Sequence, residues 1–362
     1  MYKINKKYSI FPFLTSRLML QILFCIIVIN IGFKFYLFVS NLETGIIPDF
    51  ERPPGVEAFL PLSALVSLKH FLFTGTINNI HPSALVLFLI ICLTALIVKK
   101  GFCSYICPIG LLSEMMTKLH VMIFKRKINL PAKADLLLRS TKYILAGFFL
   151  WSIFFQMPIA SIEQFIQSPY NRFADVKMLK FFTDISNTSM IVMIVLLILS
   201  IVIPYFWCRY LCPYGAVLGV LSFLSLGKIK YDASFCTDCG RCEKNCPGLI
   251  KIRQKKLVHS PECSACLTCI KNCPEKDALT FSFFPGNKAV GQPIFALILV
   301  LLFTFGITFA KITDKWQNKV SKPEYLRYVI QDFMPWNSKG HIDSEKMQIM
   351  MQIMKNLKNQ QG

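Results

Sequence analysis

Eight cysteines fall into two runs of one design. Residues 236–247 read CTDCGRCEKNCP and residues 263–274 read CSACLTCIKNCP, each a CxxCxxCxxxCP. In a [4Fe-4S] cube every iron holds three sulfides and takes one thiolate. Two-residue spacers let a single tight loop reach three corners, and the fourth thiolate comes from the other run. That pattern assigns Cys236, Cys239, Cys242 and Cys273 to one cluster, and Cys263, Cys266, Cys269 and Cys246 to a second, with iron at all eight. Zinc is the rival, because CxxC pairs suit a tetrahedral ion. Zinc sites lack the triple run followed by xxxCP, let alone two copies of it. The chemistry expected is one-electron transfer.

Four further cysteines form a second pattern. Phe102–Gly110 reads FCSYICPIG and Trp207–Gly215 reads WCRYLCPYG, so an aromatic-Cys-x-Tyr-x-Cys-Pro-x-Gly unit recurs. Cys103 and Cys107 stand four apart and would share one face of a helix, as would Cys208 and Cys212. If the two copies face each other, four thiols converge. They suit a further Fe–S centre, a metal ion or a redox-active dithiol pair. A duplicated helix stop, made by Pro and Gly, is the plainer explanation. Cys25 and Cys92 are alone in apolar blocks and read as small buried hydrophobes.

These residues need a scaffold, and the composition says which kind. The chain has 362 residues, 54% of them hydrophobic and gathered in blocks, with a formal net charge of +20. Blocks of that length point to a membrane protein. The basic residues collect between the blocks, without a nucleic-acid-binding motif, so no nucleic-acid partner is expected. Five candidate spans run 18–39, 82–98, 142–160, 188–206 and 292–310. The first carries Lys34 near its end, placed to snorkel. It lacks a small-residue cleavage site and reads as an uncleaved anchor.

Charge sets the orientation. The tail before the first span has four basic and no acidic residues, and 41–81 has two basic and four acidic. Segment 99–142 has nine basic and two acidic, 161–187 three of each, and 208–290 twelve basic and six acidic. The N-terminus, 99–142 and the cysteine-rich domain are therefore expected in the cytoplasm of a multi-pass inner-membrane protein. That compartment is reducing and excludes a disulfide framework. An odd span count puts 311–362 outside.

The expected fold is mainly α. It is a polytopic membrane protein of about five transmembrane helices, in two parallel repeat units, with a small α+β ferredoxin domain of bacterial 2[4Fe-4S] type. The divisions are a cytoplasmic tail 1–17, a first membrane repeat 18–107, a basic cytoplasmic loop 108–141 and a second repeat 142–212. The ferredoxin domain 227–285, a fifth span 292–310 and a tail 311–362 follow. Segment 57–75 reads as an interfacial or re-entrant helix, and 342–357 as an amphipathic docking helix.

Both CxxxCP pairs, both ferredoxin runs and the order of spans over residues 15–310 resemble the membrane polyferredoxins of the NapH, NosR and YccM type. The segment RPPGVEAFLPLSAL, 52–65, also resembles that wider family. The resemblance implies electron transfer between the quinol pool and a redox partner: a reductase, cytochrome or flavoprotein. The chain would then be an electron-transfer subunit of a quinol dehydrogenase-type system. Two other functions stay open. Copper-reductase proteins that mature terminal oxidases share both motifs, but end in an immunoglobulin-like domain for which a 52-residue tail is too short. A redox-sensing regulator would need an output module that nothing here resembles. No CxxCH motif for covalent haem is present. Quinol chemistry needs a proton acceptor near the interface. Arg52, Glu57, Lys69, His70 and His81 are candidates, with ordinary interfacial polar residues as the alternative. His120 and His259 read as solvated.

Overall fold

A computed structural model describes residues 16–125, 130–275, 277–284, 286 and 288–332. The docking helix expected at 342–357 lies outside the described residues. The chain divides into two compact units. The first takes residues up to Val28, then Val86–Gln156 and Ser186–Phe309. The second takes Ile29–Leu85, Met157–Ile185 and residues from Ala310 onward.

The long helices follow the apolar blocks. They are α1 (Ser16–Glu43), α6 (Ala132–Trp151, continued by a π turn to Gln156) and α14 (Gln292–Ile312). These three are long and apolar enough to cross a membrane, and they mark an integral membrane protein. Their outward faces carry residues such as Ile26, Phe33, Leu301 and Phe305, as lipid-facing helices do. The expected five spans are not all of that length. In the block 82–98, α3 (Pro82–Val98) has 17 residues. In the block 188–206, α10 (Asn187–Val202) has 16 residues and reaches spanning length only when counted with α9 (Ala174–Thr183) as one broken span. Pro82 opens α3, Lys99 follows it in the left-handed conformation, and Pro204 follows α10, so local stops cut both helices short. Cys25 and Cys92 are half-exposed rather than buried. On helices apolar all round, such faces meet lipid.

In the first unit, α4 (Gly101–Tyr105) and α5 (Pro108–Phe124) follow α3, and α11 (Pro213–Leu221) packs on α6. Residues 108–141, expected as a loop, are therefore largely helical. His120, read as solvated, is fully buried, with Nδ1 2.9 Å from the Ile201 carbonyl. It sits on the face of α5 that packs against α10. His259 is exposed as expected.

The cysteine runs sit between the strands of a two-stranded antiparallel sheet. Strand β1 (Gly227–Tyr231) pairs with β2 (Leu279–Phe283), Ile229 opposite Phe281. Alternation buries Ile229, Leu279 and Phe281 and leaves Lys228 and Lys230 on the other face. Two one-turn helices, α12 (Arg241–Lys244) and α13 (Thr268–Lys271), carry the third cysteine of each run.

The second unit holds a 3-10 turn (Pro54–Phe59), α2 (Pro61–Thr74), α7 (Ile159–Gln167), α8 (Pro169–Arg172), α9 and α15 (Lys322–Asp332). Its centre is ionic. Arg52 donates to Glu57 at 2.9 Å and also pairs with Asp175. Tyr325 donates to Asp175 at 3.1 Å, and Ser83 donates to Glu57. His81 lies 3.2 Å from the Glu57 carboxylate through Nδ1, at ion-pair distance, and donates through Nε2 to the Asn171 carbonyl at 2.6 Å. All of these groups are buried.

Two cations face two carboxylates there. Burial alone would raise the Glu57 carboxyl, but Arg52, His81 and the Ser83 hydroxyl together hold it below its ordinary value. Burial would lower His81, and Glu57 reverses this and raises it. The Glu57 contribution to stability is therefore full above 4.5 and lost as pH falls through its lowered value. The His81 contribution is full below 6.5 and lost as pH rises through its raised value. Thermal unfolding followed across pH in detergent should show losses on both sides. Glu57→Gln should cost about 3–5 kcal/mol, because it strands a buried cation. An unchanged melting temperature in Glu57→Gln would contradict this account.

Candidate iron–sulfur centres

The two cysteine runs fold into matching loops. The second residue after the first cysteine is left-handed in both, Asp238 (φ 54°) and Ala265 (φ 50°). So is the residue after the second cysteine, Gly240 (φ 68°) and Leu267 (φ 56°). Side chains other than glycine resist that conformation by about 1–2 kcal/mol. Its recurrence at Ala265 and Leu267 marks a loop whose shape is imposed by what it encloses. The tight bend turns backbone N–H groups inward: Asp238 N–H donates to Cys236 Sγ at 3.4 Å.

Each loop closes a cavity with a cysteine from the other run. Cys236, Cys239, Cys242 and Cys273 line one, beside Tyr231 and Arg253. Cys246, Cys263, Cys266 and Cys269 line the other, beside Ile229, Val258 and Glu262. The cavities enclose about 310 and 340 Å³ of empty space, part of it open to solvent. They differ in exposure. Cys239 is exposed and Cys236 and Cys273 are half-buried, whereas all four cysteines of the second set are buried. Burial pushes the thiols of Cys263 and Cys269 up, and that of Cys246 up to about 12. Thiols in such surroundings ionise only against positive charge, which iron supplies. Among the described residues no group of three or more His, Cys, Asp or Glu side chains forms a ready site for a single metal ion.

The CxxxCP pairs do not lie on continuous helices, contrary to the expectation of a shared i,i+4 face. Cys103 is in α4 and Cys208 in a π turn (Trp207–Leu211), while Cys107 and Cys212 are N-caps of α5 and α11. Proline after each second cysteine ends the preceding turn, holding Cys107 (ψ 122°) and Cys212 (ψ 107°) extended. The caps differ in one bond: Gly215 N–H donates to Cys212 Sγ at 3.3 Å, whereas the Cys107 side chain accepts no capping hydrogen bond. Glycine is required at 110, where a Cβ would come within 2.0 Å of the Cys103 carbonyl oxygen.

The four thiols are nonetheless brought together. Cys103 feels the charges of Cys107, Cys212 and Cys208, and Cys208 feels those of Cys107 and Cys212. Ser113 Oγ lies 3.2 Å from Cys208 Sγ. Burial raises all four, Cys107 to about 11 and Cys208 to about 12, and Lys100 opposes this at Cys103, Cys208 and Cys212. A cationic neighbour and two helix N-termini favour the thiolate form.

The buried cysteine loop is tied to the first CxxxCP segment and to α6. Ser104 Oγ donates to the Ser264 carbonyl at 2.9 Å. Lys142 donates to both Glu262 oxygens, at 3.0 and 2.8 Å, and Tyr143 donates to Oε1 at 3.0 Å. Burial alone would raise Glu262, but Lys100 and Lys142 hold it below the usual carboxylate range. Arg17 donates to the Ser104 carbonyl at 3.0 Å and pairs with Glu114. None of these supporting residues carries a sequence signal beyond the two lysines that precede the first CxxxCP.

The outer-loop candidates separate. Arg52, Glu57 and His81 join the ionic centre with Asp175 and Tyr325, two partners that sequence reasoning did not find. Lys69 is buried and donates to the Met157 carbonyl. His70 is half-buried, with Nδ1 3.1 Å from the Thr76 carbonyl.

Two cavities lined by cysteines in crossed sets, on a two-stranded sheet with one-turn helices, define a ferredoxin-type iron–sulfur electron-transfer protein of the membrane. A family model described as a 4Fe-4S binding domain matches residues 80–131 and 188–231, and a 4Fe-4S dicluster domain matches 228–274. The chain is 40% identical over 325 residues to the putative electron transport protein YccM of Escherichia coli K12, covering 88% of this chain and 90% of that one. It is 26% identical over 204 residues to the ferredoxin-type protein NapH of Haemophilus influenzae, covering 50% of this chain and 63% of NapH. It is also 26% identical over 171 residues to the methylamine utilization ferredoxin-type protein MauN of Paracoccus denitrificans, covering 45% and 56%. No solved structure matches. The chain belongs to the NapH/YccM-like polyferredoxin family.

Proposed function

We propose that the chain holds two [4Fe-4S] clusters and links the quinol pool to a redox partner protein. Cys236, Cys239, Cys242 and Cys273 would hold one cluster, and Cys263, Cys266, Cys269 and Cys246 the other. When bound, the clusters supply one-electron carriers. The observation that carries this reading is the pair of crossed cysteine cavities, one with Cys239 exposed and one with all four cysteines buried. The exposed set admits a soluble partner. All four cysteines of the other set are buried, and Cys103, Cys107, Cys208 and Cys212 form a redox-active or metal-binding group.

The rest of the proposal concerns the membrane. Five spans in two parallel repeats carry the two CxxxCP segments, with α3 and α10 as the short members. The N-terminus and ferredoxin domain face the cytoplasm of an inner membrane, as the basic segments require. Quinol would dock near residues 103–125, close to the four thiols. The alternative at Arg52, Glu57 and His81 is disfavoured, because those groups already satisfy one another in a buried centre.

The test uses the purified protein in liposomes of known orientation. Reduced quinol analogue should bleach the visible absorption of the oxidised clusters. A membrane-impermeant reductant should do so only in vesicles that expose the cytoplasmic face. Clusters that respond to a soluble cytoplasmic donor but never to quinol, with any partner added, would leave a cytoplasm-fed conduit in place of the quinol link.

A further inference from the structure

Positive charge gathers at one end of the ferredoxin domain. Residues 235–256 include six basic and two acidic residues. The two acidic ones, Asp238 and Glu243, both pair with Arg253, Glu243 at 3.2 Å. Arg253 thereby ties the turn Ile252–Gln254 against the loop of Cys239 and against α12. Arg241, Lys244, Lys251, Lys255 and Lys256 stay exposed around it. Arg241, Lys251, Lys255 and Lys256 make no ion pair among the described residues. The other carboxylates at this end, Asp232, Glu275 and Asp277, are fewer than the exposed cations, and Asp232 is taken up by Ser234, whose N–H and O–H donate to it at 2.9 and 2.6 Å. Beside Cys236 stands Phe235, an aromatic ring 54% exposed.

The sheet shows which end this is. Leu226 N–H donates to the Leu96 carbonyl at 2.8 Å, and Phe284 N–H donates to the Leu226 carbonyl at 2.9 Å. The end where Gly227 pairs with Phe283 is therefore fixed to the end of the apolar helix α3. Leu224, Leu226 and Phe284 are exposed there, as apolar residues at a membrane surface are. The cavity of Cys236, Cys239, Cys242 and Cys273 is lined by Tyr231 and Leu279, which pair at the opposite end of the sheet. Tyr231 N–H donates to the Lys256 carbonyl at 2.9 Å, which places the basic turn at that end as well. The strands have five residues each, so about 13 Å separates the two ends. That exceeds the ~8 Å over which exposed charges act at physiological salt. Lipid headgroups at the α3 end do not account for cations held at the other.

We propose that the Cys239 end of the ferredoxin domain is the docking surface for a small acidic one-electron carrier protein. Carboxylates of the carrier would face Arg241, Lys251, Lys255 and Lys256, and Phe235 would supply the apolar contact. The proposal rests on the two-cluster reading above and is independent of the quinol link. Electron-transfer encounters are small and short-lived. They depend on opposite charge to steer the partners together, and less on buried area. An apolar ring within a basic rim, next to an exposed cluster cysteine, has that design. One electron passes between the carrier and the site in this cavity. The carrier is oxidised as the site is reduced, and no bond or proton is exchanged.

The experiment mixes the oxidised full-length protein, in neutral detergent, with fully reduced flavodoxin, a small acidic flavoprotein, and follows bleaching by stopped flow. Reduced methyl viologen serves as a small reductant that needs no docking surface. The rate with flavodoxin should fall at least about tenfold from 0.01 M to 1 M salt, as the screening length shrinks from about 30 to about 3 Å. Lys255→Glu with Lys256→Glu, outside both cysteine loops, should slow flavodoxin at least about tenfold at low salt. Iron content should stay, and the rate with viologen should not fall. Lys255→Arg with Lys256→Arg should keep the wild-type rate. Should the reversed variant lose iron, Lys251→Glu and the pair Lys255→Gln with Lys256→Gln give the same comparison. Iron-replete variants reduced by flavodoxin as fast as wild type would overturn the proposal, as would flavodoxin failing to reduce clusters that viologen reduces. So would liposomes in which anionic lipid alone protects Lys251, Lys255 and Lys256 from amine labelling, since the face would then belong to the membrane. A wild-type protein without two iron–sulfur couples would instead overturn the two-cluster reading.

Discussion

Cys246→Ser should remove the same iron as Cys263→Ser, and not the iron lost in Cys239→Ser. Two cubes hold roughly eight irons, and each variant should retain about four. Chain order alone would group Cys246 with Cys236, Cys239 and Cys242, four residues within one run. The cavities group it instead with Cys263, Cys266 and Cys269. The spectra should divide in the same way. Cys246→Ser and Cys263→Ser should leave the solvent-reaching couple, which an impermeant reductant bleaches fast. Cys239→Ser and Cys273→Ser should leave the slow one. Iron analysis with electron paramagnetic resonance checks this directly. If Cys246→Ser lost the fast couple, the crossed assignment would be wrong.

The second large effect concerns the four CxxxCP thiols. Replacing Cys212 alone by Ala should slow electron exchange between quinol and the clusters on the order of 10²-fold, as misplacing one part of a reacting constellation does. Replacing Cys103, Cys107, Cys208 and Cys212 together should cost little more, because residues acting as a unit are strongly non-additive. The structural basis is their electrostatic proximity and the placing of Cys107 and Cys212 as the N-caps of α5 and α11. Iron held by the ferredoxin loops should be unaffected in Cys212→Ala, so the loss is read in the rate and not in cluster content. Four independent, mild effects that add up would show the cysteines to be helix stops only. Metal analysis in a background lacking the eight ferredoxin cysteines reports whether the four thiols hold a centre of their own.

The cysteine chemistry was legible because it is local. Two-residue spacers and the terminal CysPro dictate a loop that wraps a cube, whatever the rest of the chain does. Apolar blocks were equally plain, since a helix in lipid must be apolar all round. What spacing could not show was where a helix stops. Cys103 and Cys107 looked like neighbours on one helix face until Pro108 ended the turn between them and made Cys107 a cap. The same local stops shortened α3 and α10. Nor could sequence say whether a polar residue in an apolar setting is wet. His120 was assigned to solvent and is buried against α10. Arg52, Glu57 and His81 looked like interfacial groups open to a ligand. They are buried against Asp175 and Tyr325, which lie 123 residues from Arg52 and 150 from Asp175 along the chain respectively.

Sequence by itself thus determined the class of cofactor, the membrane setting and the family, because each depends on residue type over a short stretch. Tertiary structure decided which cysteines are buried, which are exposed and which side chains line each cavity. Those properties belong to surfaces made when distant segments pack. Lys99 is the clearest case. In the sequence it is one of two lysines ending an apolar block, as the positive-inside rule expects. In the folded chain the end of α3, tied to the start of β1, buries it fully and leaves its Nζ without a hydrogen-bond partner among the described residues.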